Sequence, residues 1–167
     1  LSAGEHIFRS AWADQHTPEV VVQLGALPTS KAYRLWLDRT RPAQIITVDH
    51  AGRHPDPLLL VTERIDLAPA DWAARVTVAH TKDLSWSQAW QEAERTAAAA
   101  VADLSAHAPF SNPAVVEVLG AQLSAQTALV VGNSMPIRDL DAFLPTGPKP
   151  LQVYANRGAN GLVVQVS

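Results

Sequence analysis

The hydrophobic positions of this chain follow two spacings in turn, which predicts strands that alternate with helices. Residues 20–25 form a continuous apolar run, typical of a strand buried on both faces of a parallel sheet. Ala32, Leu35 and Trp36 then recur at the i, i+3 and i+4 positions of a helix that ends near Arg39. A strand, a short loop and a helix in this order form the βα unit of an α/β protein.

The same reasoning predicts two α/β pieces joined by a long helix. A first helix runs to about His16, with Ser2 and Glu5 as its capping box. The piece over 1–82 contains the first strands, a helix over 83–107 joins the pieces, and the piece over 108–167 contains the last strands. Further strands are predicted at 44–48, 58–62, 128–131 and 151–154, and further helices at 85–103, 112–123 and 135–143.

Composition excludes several classes of function. The chain has 167 residues, of which 47% are hydrophobic and 17% charged, as in ordinary globular domains. Its net charge of -3 gives no general attraction to nucleic acid or anionic lipid, so any anion must bind locally. No apolar run approaches the roughly 20 residues of a membrane span. The absence of cysteine excludes disulfides and thiolate metal sites, and it fits a cytoplasmic protein.

Two turns near the C-terminus each place an arginine just after a predicted strand. Ser134 follows one strand and Arg138 lies one helical turn beyond it, whereas Arg157 follows the next strand. Parallel sheets bind ligands outside the carboxyl ends of their strands, and guanidinium groups pair with carboxylates. A carboxylate ligand is therefore predicted. The spacing also fits a simpler interpretation, in which Ser134 only caps a helix and the arginines are solvated.

Lys31 marks a third candidate position, in the turn after the first strand. Gly25, Thr29, Ser30 and Lys31 have the outline of a phosphate-binding βα turn, but they match neither the P-loop nor the dinucleotide fingerprint. Thr29 or Ser30 as a helix cap, with Lys31 solvated, explains the same residues. The six histidines are scattered and do not predict a zinc site.

Four segments together resemble a known enzyme family, and the resemblance runs from about residue 5 to residue 161. The last two are the most specific: Gly-Asn-Ser-Met-Pro-Ile-Arg at 132–138 and Tyr-Ala-Asn-Arg-Gly-Ala-Asn-Gly at 154–161. With residues 20–31 and 48–57, they are similar to the 2-succinyl-5-enolpyruvyl-6-hydroxy-3-cyclohexene-1-carboxylate synthases, the thiamine-diphosphate enzymes of menaquinone biosynthesis.

This resemblance implies an architecture and a reaction. The family has an N-terminal pyrimidine-binding domain, a Rossmann-like central domain and a C-terminal pyrophosphate-binding domain, and it forms homodimers or dimers of dimers. The present chain looks like a partial central domain followed by the start of the third. The implied reaction decarboxylates 2-oxoglutarate on thiamine diphosphate and adds the succinyl unit to isochorismate. Mg²⁺ or Mn²⁺ holds the cofactor.

Four site residues carry over from the family by position. Ser134 and Arg138 match a serine and an arginine that bind a substrate carboxylate, and Arg157 matches the second such arginine. Lys31 matches a basic residue of the central domain that faces the active site. The family pattern has a second basic residue next to that lysine, and this chain has Ala32 there.

The chain departs from the family pattern after residue 161. It continues Leu162-Val163-Val164 in place of Ile-Asp-Gly, and the Gly-Asp-Gly signature for magnesium and diphosphate does not appear. The catalytic glutamate of the N-terminal domain is also missing. These departures indicate a fragment, either truncated or shifted in reading frame near Gly161. No catalytic residue, cofactor or metal ion is expected in it, and the isolated chain is predicted to be inactive.

Two other interpretations remain open at this point. A thiamine-dependent decarboxylase or acetolactate-synthase relative would share the central fold, but a site for pyruvate has less use for two arginines. A noncatalytic nucleotide-binding or interaction module would share the fold as well. The missing glycine fingerprint argues against that module.

Overall fold

A computed structural model describes residues 3–52, 55–77, 83–108, 110–144 and 151–155. The chain divides into two compact units, one of Ile7–Gln91 and the other of Leu1–His6 with Glu92–Ser167. The helices are α1 Gly4–Ile7, α2 Ala11–Gln15, α3 Lys31–Thr40, α4 Pro69–Arg75, α5 Ser85–His107, α6 Asn112–Gln122 and α7 Met135–Phe143. The strands are β1 Val20–Leu24, β2 Gln44–Val48, β3 Glu63–Ile65, β4 Ala128–Val131 and β5 Gln152–Ala155.

The unit Ile7–Gln91 contains a parallel sheet with the strand order β1-β2-β3. Val20 lies opposite Gln44 and Leu24 opposite Val48, so β1 and β2 end level with each other. The helix α3 connects these two parallel strands, as the apolar pattern predicts. Its buried residues include Trp36. The α/β class with parallel sheets is therefore confirmed.

Aromatic side chains form much of the core of this unit. The Trp36 ring lies 4.9 Å from Phe8 and 6.0 Å from Trp90, measured between ring centroids. Trp36 Nε1 donates a hydrogen bond of 3.1 Å to the Ala13 carbonyl. A buried indole N–H needs an acceptor, so this bond satisfies the donor and also fixes the orientation of the ring. The cluster joins α2, α3 and the first turns of α5.

The other unit contains a parallel pair of strands, β4 and β5. The helices α6 and α7 flank β4 in the sequence, and a side-chain bond connects them: Asn112 Nδ2 donates to Asp139 Oδ2 at 3.0 Å. Near the C-terminal end of α7, His6 Nε2 lies 3.3 Å from the Ala142 carbonyl oxygen. These bonds hold α7 at its middle and near its C-terminal end.

The third strand differs from the sequence prediction. The apolar residues 58–62 were expected to form it, but β3 comprises Glu63–Ile65. The Asp56 carboxylate accepts backbone hydrogen bonds from Leu60 at 2.9 Å and Val61 at 3.0 Å. Leu59 adopts a positive φ of 54°. These local bonds hold a turn where the apolar pattern alone predicted a strand.

The predicted first helix is also different, because it is divided in two. The Ser10 hydroxyl donates to the Ile7 carbonyl at 2.7 Å and accepts from the Ala13 amide at 3.3 Å, so it ends α1 and caps α2. Ser2 lies outside the described residues, and the proposed capping box with Glu5 stays a prediction. The short helix α4 was not predicted. No helix in the described ranges combines the length and apolar character needed to cross a membrane.

Candidate carboxylate-binding site

The strands β4 and β5 end at the same level. Val131, the last residue of β4, lies opposite Ala155, the last residue of β5. The chain leaves β4 through a turn of Gly132, Asn133 and Ser134 and enters α7 at once. A ligand outside the carboxyl ends of these two strands would therefore meet this turn and the N-terminus of α7.

Ser134 occupies the N-cap position of α7 but makes no side-chain cap hydrogen bond. Its backbone lies at φ 70° and ψ -122°, a region that residues with a Cβ rarely adopt. The side chain is exposed. The simpler interpretation, in which Ser134 only caps the helix, does not describe this structure. The hydroxyl group is positioned at the end of the strand without a role in closing α7.

Three features make the start of α7 suitable for an anion. The first amide groups of a helix lack intrahelical acceptors, and they form the positive end of the helix dipole. The first turn contains no acidic residue that would repel an anion. Arg138 lies four residues after Ser134 and is exposed, so the two side chains share a face of the turn and helix. A Cβ at Gly132 would meet nothing within 4 Å, which leaves the approach to the turn open.

Asp139 is a positioning residue that the sequence analysis did not identify. It is buried, and its carboxylate accepts the hydrogen bond from Asn112 at the first turn of α6. This bond fixes α7 against α6 and thereby the direction from which Arg138 leaves the helix. Its position next to Arg138 in the motif could have indicated a role. The hydrophobic periodicity of the helix does not predict whether an aspartate is buried or solvated.

A cavity of about 460 Å³ lies among α6, β4 and α7. Most of its lining side chains are apolar, and its polar members are Asn112 and Asp139, which bind each other. Neither Ser134 nor Arg138 lines it. The cavity is therefore an apolar space beneath the turn, separate from the place where a carboxylate would meet these two residues.

Lys31 belongs to the other unit, Ile7–Gln91. It is the first residue of α3 and is exposed, and the preceding Ser30 caps the helix by accepting a 3.0 Å bond from the Tyr33 amide. Gly25 has a φ of 75° after β1. The local geometry therefore confirms the capping interpretation for Ser30, and a role for Lys31 in substrate binding stays a prediction.

Arg157 lies outside the described residues. It follows Ala155, the end of β5, by two positions in the sequence. Because β4 and β5 end at the same level, Ser134, Arg138 and Arg157 are expected at the same edge of this sheet. Arg157 as the second carboxylate-binding arginine nevertheless stays a prediction.

The family resemblance also implies a metal ion that holds the cofactor. Within the described ranges, no three side chains of histidine, aspartate or glutamate come together as a metal-binding group. The turn after β4 has donors for an anion, but it has no carboxylate set for a divalent cation.

Several known proteins that are similar to this chain share a name. The synthase named 2-succinyl-5-enolpyruvyl-6-hydroxy-3-cyclohexene-1-carboxylate synthase from Synechococcus elongatus is 37% identical over 153 residues, 90% of this chain and 26% of that protein. Synthases of the same name from Chloroflexus aurantiacus and Geobacillus kaustophilus are 36% and 40% identical over 159 residues each. These matches cover 90% of this chain and 27% and 26% of the two proteins.

No protein-family model matches the chain. It spans about a quarter of the length of the curated relatives that it matches. The aligned region nevertheless covers nine-tenths of this chain. The described residues contain parallel strands in both units. Over the aligned region, the chain is similar to a segment of the 2-succinyl-5-enolpyruvyl-6-hydroxy-3-cyclohexene-1-carboxylate synthases, as a fragment of such a synthase would be.

Proposed function

We propose that this chain provides the substrate-carboxylate site of a thiamine-diphosphate-dependent synthase in menaquinone biosynthesis. The synthase decarboxylates 2-oxoglutarate and adds the succinyl unit to isochorismate. Both substrates bear carboxylates, so a site that recognises them needs fixed hydrogen-bond donors and positive charge. The observation that carries the proposal is the turn after β4, where an uncommitted serine hydroxyl and a helix N-terminus precede Arg138.

Each residue has a separate role in this proposal. One carboxylate oxygen accepts from the Ser134 hydroxyl and the first amides of α7, and the other pairs with Arg138. Arg157, beyond the end of β5, provides the second guanidinium group. A role in substrate binding for Lys31, which belongs to the other unit, remains a prediction of the family resemblance, and Ala32 stands where the family pattern has a second basic residue.

The unit Ile7–Gln91 corresponds in this proposal to the central domain, and the residues after the long helix α5 belong to the pyrophosphate-binding domain. Thiamine diphosphate and Mg²⁺ or Mn²⁺ are held by parts of the synthase that this sequence does not represent. The complete synthase is a cytoplasmic homodimer or a larger assembly. The relatives' names support a transferase of menaquinone biosynthesis, whereas its cofactor, assembly and location are proposals.

Calorimetric titration of the purified chain with 2-oxoglutarate tests the carboxylate site directly. The wild-type chain is compared with Arg138→Ala, Arg157→Ala and the double variant. Arg95→Ala is the matched control, because Arg95 is an exposed arginine of the same unit that forms an ion pair with Glu92 on its own helix. The control removes the same charge without touching the turn.

We expect weak binding that falls at least roughly tenfold in each single variant, since hydrogen bonds to charged groups contribute about 1.5–3 kcal/mol. The double variant should not bind, and Arg95→Ala should bind like the wild type. Equal binding by the wild type and the double variant would contradict the proposed site. A wild-type chain that binds no dicarboxylate would show that these groups do not form a site on their own.

A further inference from the structure

A second and much smaller cavity lies in the unit Ile7–Gln91. Its volume is about 20 Å³, and it is lined by β1, α3, β2 and the loop 55–61. Apolar side chains such as Leu37 and Ile45 form most of its wall. The polar residues that line it are Gln23, Arg34 and Asp56.

Two hydrogen-bond donors at this cavity have no acceptor. Gln23 is only 7% exposed, and its side-chain Nε2 is buried without a partner in the described part of the chain. The same holds for Nε of Arg34. A buried donor that loses its hydrogen bonds to water and gains none in return destabilises the fold. Both groups are donors only, so the missing partner is an acceptor.

Size and charge identify this acceptor. A cavity needs about 10–15 Å³ to hold one water molecule, so 20 Å³ admits a single water-sized group. The carboxylate of Asp56 also lines the cavity, so an anion there would lie beside a negative charge within a mostly apolar wall. A water molecule brings no charge. It accepts from the two donors, and it can donate to a remaining lone pair of the Asp56 carboxylate.

We propose that this cavity is the site of one ordered internal water molecule that links Gln23, Arg34 and Asp56. The water connects β1 and α3 with the loop that replaces the predicted strand at 58–62. The Asp56 carboxylate already accepts hydrogen bonds from the amides of Leu60 and Val61 within that loop. The water donates to the same carboxylate, so the loop, the sheet and the helix share one hydrogen-bond network.

The sign of a stability change tests this proposal. Gln23→Met keeps the length of the side chain and removes its donors. If the water is present, the variant takes away one of its partners, and we expect the folding equilibrium constant to fall roughly 5- to 100-fold. If the cavity is empty, the variant removes an unsatisfied donor, and stability should stay equal or rise. An equal or higher stability would overturn the proposal.

Gln44→Met is the matched control, because Gln44 is an exposed glutamine of the same sheet. It measures how a glutamine-to-methionine change affects stability at a strand position that does not line the cavity. The double variant Gln23→Met with Arg34→Met should lose less stability than the sum of the two single changes, because both act through the same water. Additive losses would contradict a shared water.

A measurement on the unaltered chain does not depend on whether the variants fold. Cross-relaxation in NMR spectra between the Gln23 side-chain amide protons and water should show a long-lived bound molecule. The absence of such a signal would overturn the proposal. A chloride titration that stabilises the wild-type chain saturably, but not the double variant, would identify an anion in the cavity and would also overturn it.

Discussion

The backbone of Ser134 is the residue-scale feature that most directly connects stability with the proposed site. At φ 70° and ψ -122°, its Cβ is crowded in a way that glycine avoids. Such conformations cost about 1–3 kcal/mol and persist where the surrounding structure enforces them, often at binding sites. The conformation places the serine hydroxyl at the strand end and leaves it uninvolved in the helix cap.

This conformation predicts different effects on stability for two substitutions that remove the same hydroxyl. Ser134→Gly should raise the free energy of unfolding by about 1 kcal/mol, because the relieved strain exceeds the extra chain entropy of glycine. Ser134→Ala keeps the Cβ and should change it by less than about 0.5 kcal/mol. Urea unfolding of both variants measures the difference. An equal effect of the two substitutions would show that the backbone is not strained.

Tyr33 predicts how stability depends on alkaline pH. Burial raises the pKa of the Tyr33 phenol above its usual value of 10.0, since burial disfavours the charged phenolate. The folded chain therefore holds this proton more tightly than the unfolded chain. Its contribution to stability is complete below pH 10 and is lost as the pH rises above 10 and through the folded pKa.

The variant Tyr33→Phe isolates this contribution from other groups that titrate at high pH. We expect the urea midpoint of the wild type to fall more steeply than that of Tyr33→Phe between pH 9 and about 11.5. The other tyrosine and the lysines contribute equally to both proteins. Parallel pH profiles would contradict the raised pKa.

Two serines show the limit of residue-scale prediction from sequence. Ser30 and Ser134 both lie between a strand and a helix, and the sequence pattern fits a capping role for each. In the structure, Ser30 accepts the Tyr33 amide and Ser134 caps nothing. The difference lies in the backbone dihedral angles at each serine, which the type of residue does not determine. Arg138 could be identified from its motif, but the buried bond from Asn112 to Asp139 could not.

At the scale of elements, the carboxylate of Asp56 determines where β3 begins. Asp56→Ala removes the acceptor of two backbone amides and should lower the free energy of unfolding by about 2 kcal/mol. Asp56→Asn retains one oxygen and should cost less. Hydrogen exchange at the amides of Leu60 and Val61 provides the local measurement. Unchanged protection of both amides in Asp56→Ala would show that the loop is held by other contacts.

Elements whose apolar pattern agrees with their local chemistry could be predicted from the sequence. The strands β2 and β4 and the helix α7 have the predicted bounds. The prediction failed where a polar side chain bound the backbone locally, at Ser10 between α1 and α2 and at Asp56 before β3. A hydroxyl or carboxylate that captures nearby amides overrides an apolar pattern, and composition does not reveal which ones do so.

At the scale of the whole molecule, the proposed function gives this chain a carboxylate site and assigns the cofactor to other parts of a synthase. We expect the purified chain to show no turnover of 2-oxoglutarate and isochorismate with thiamine diphosphate and Mg²⁺. The physical reason is that no group of acidic or histidine side chains for a metal is present in the described ranges. A product assay by mass spectrometry measures this, and product above a protein-free control would contradict the prediction.

A chimeric synthase tests the central claim most directly. The matching segment of the Geobacillus kaustophilus synthase, 40% identical over 159 residues, is replaced by the corresponding residues of this chain. We predict that the chimera forms product from 2-oxoglutarate and isochorismate. Arg138→Ala in the chimera should raise the KM for a substrate by roughly 10- to 100-fold, with Arg95→Ala as the unaffected control. A folded chimera without activity, or one that is indifferent to Arg138→Ala, would contradict the account.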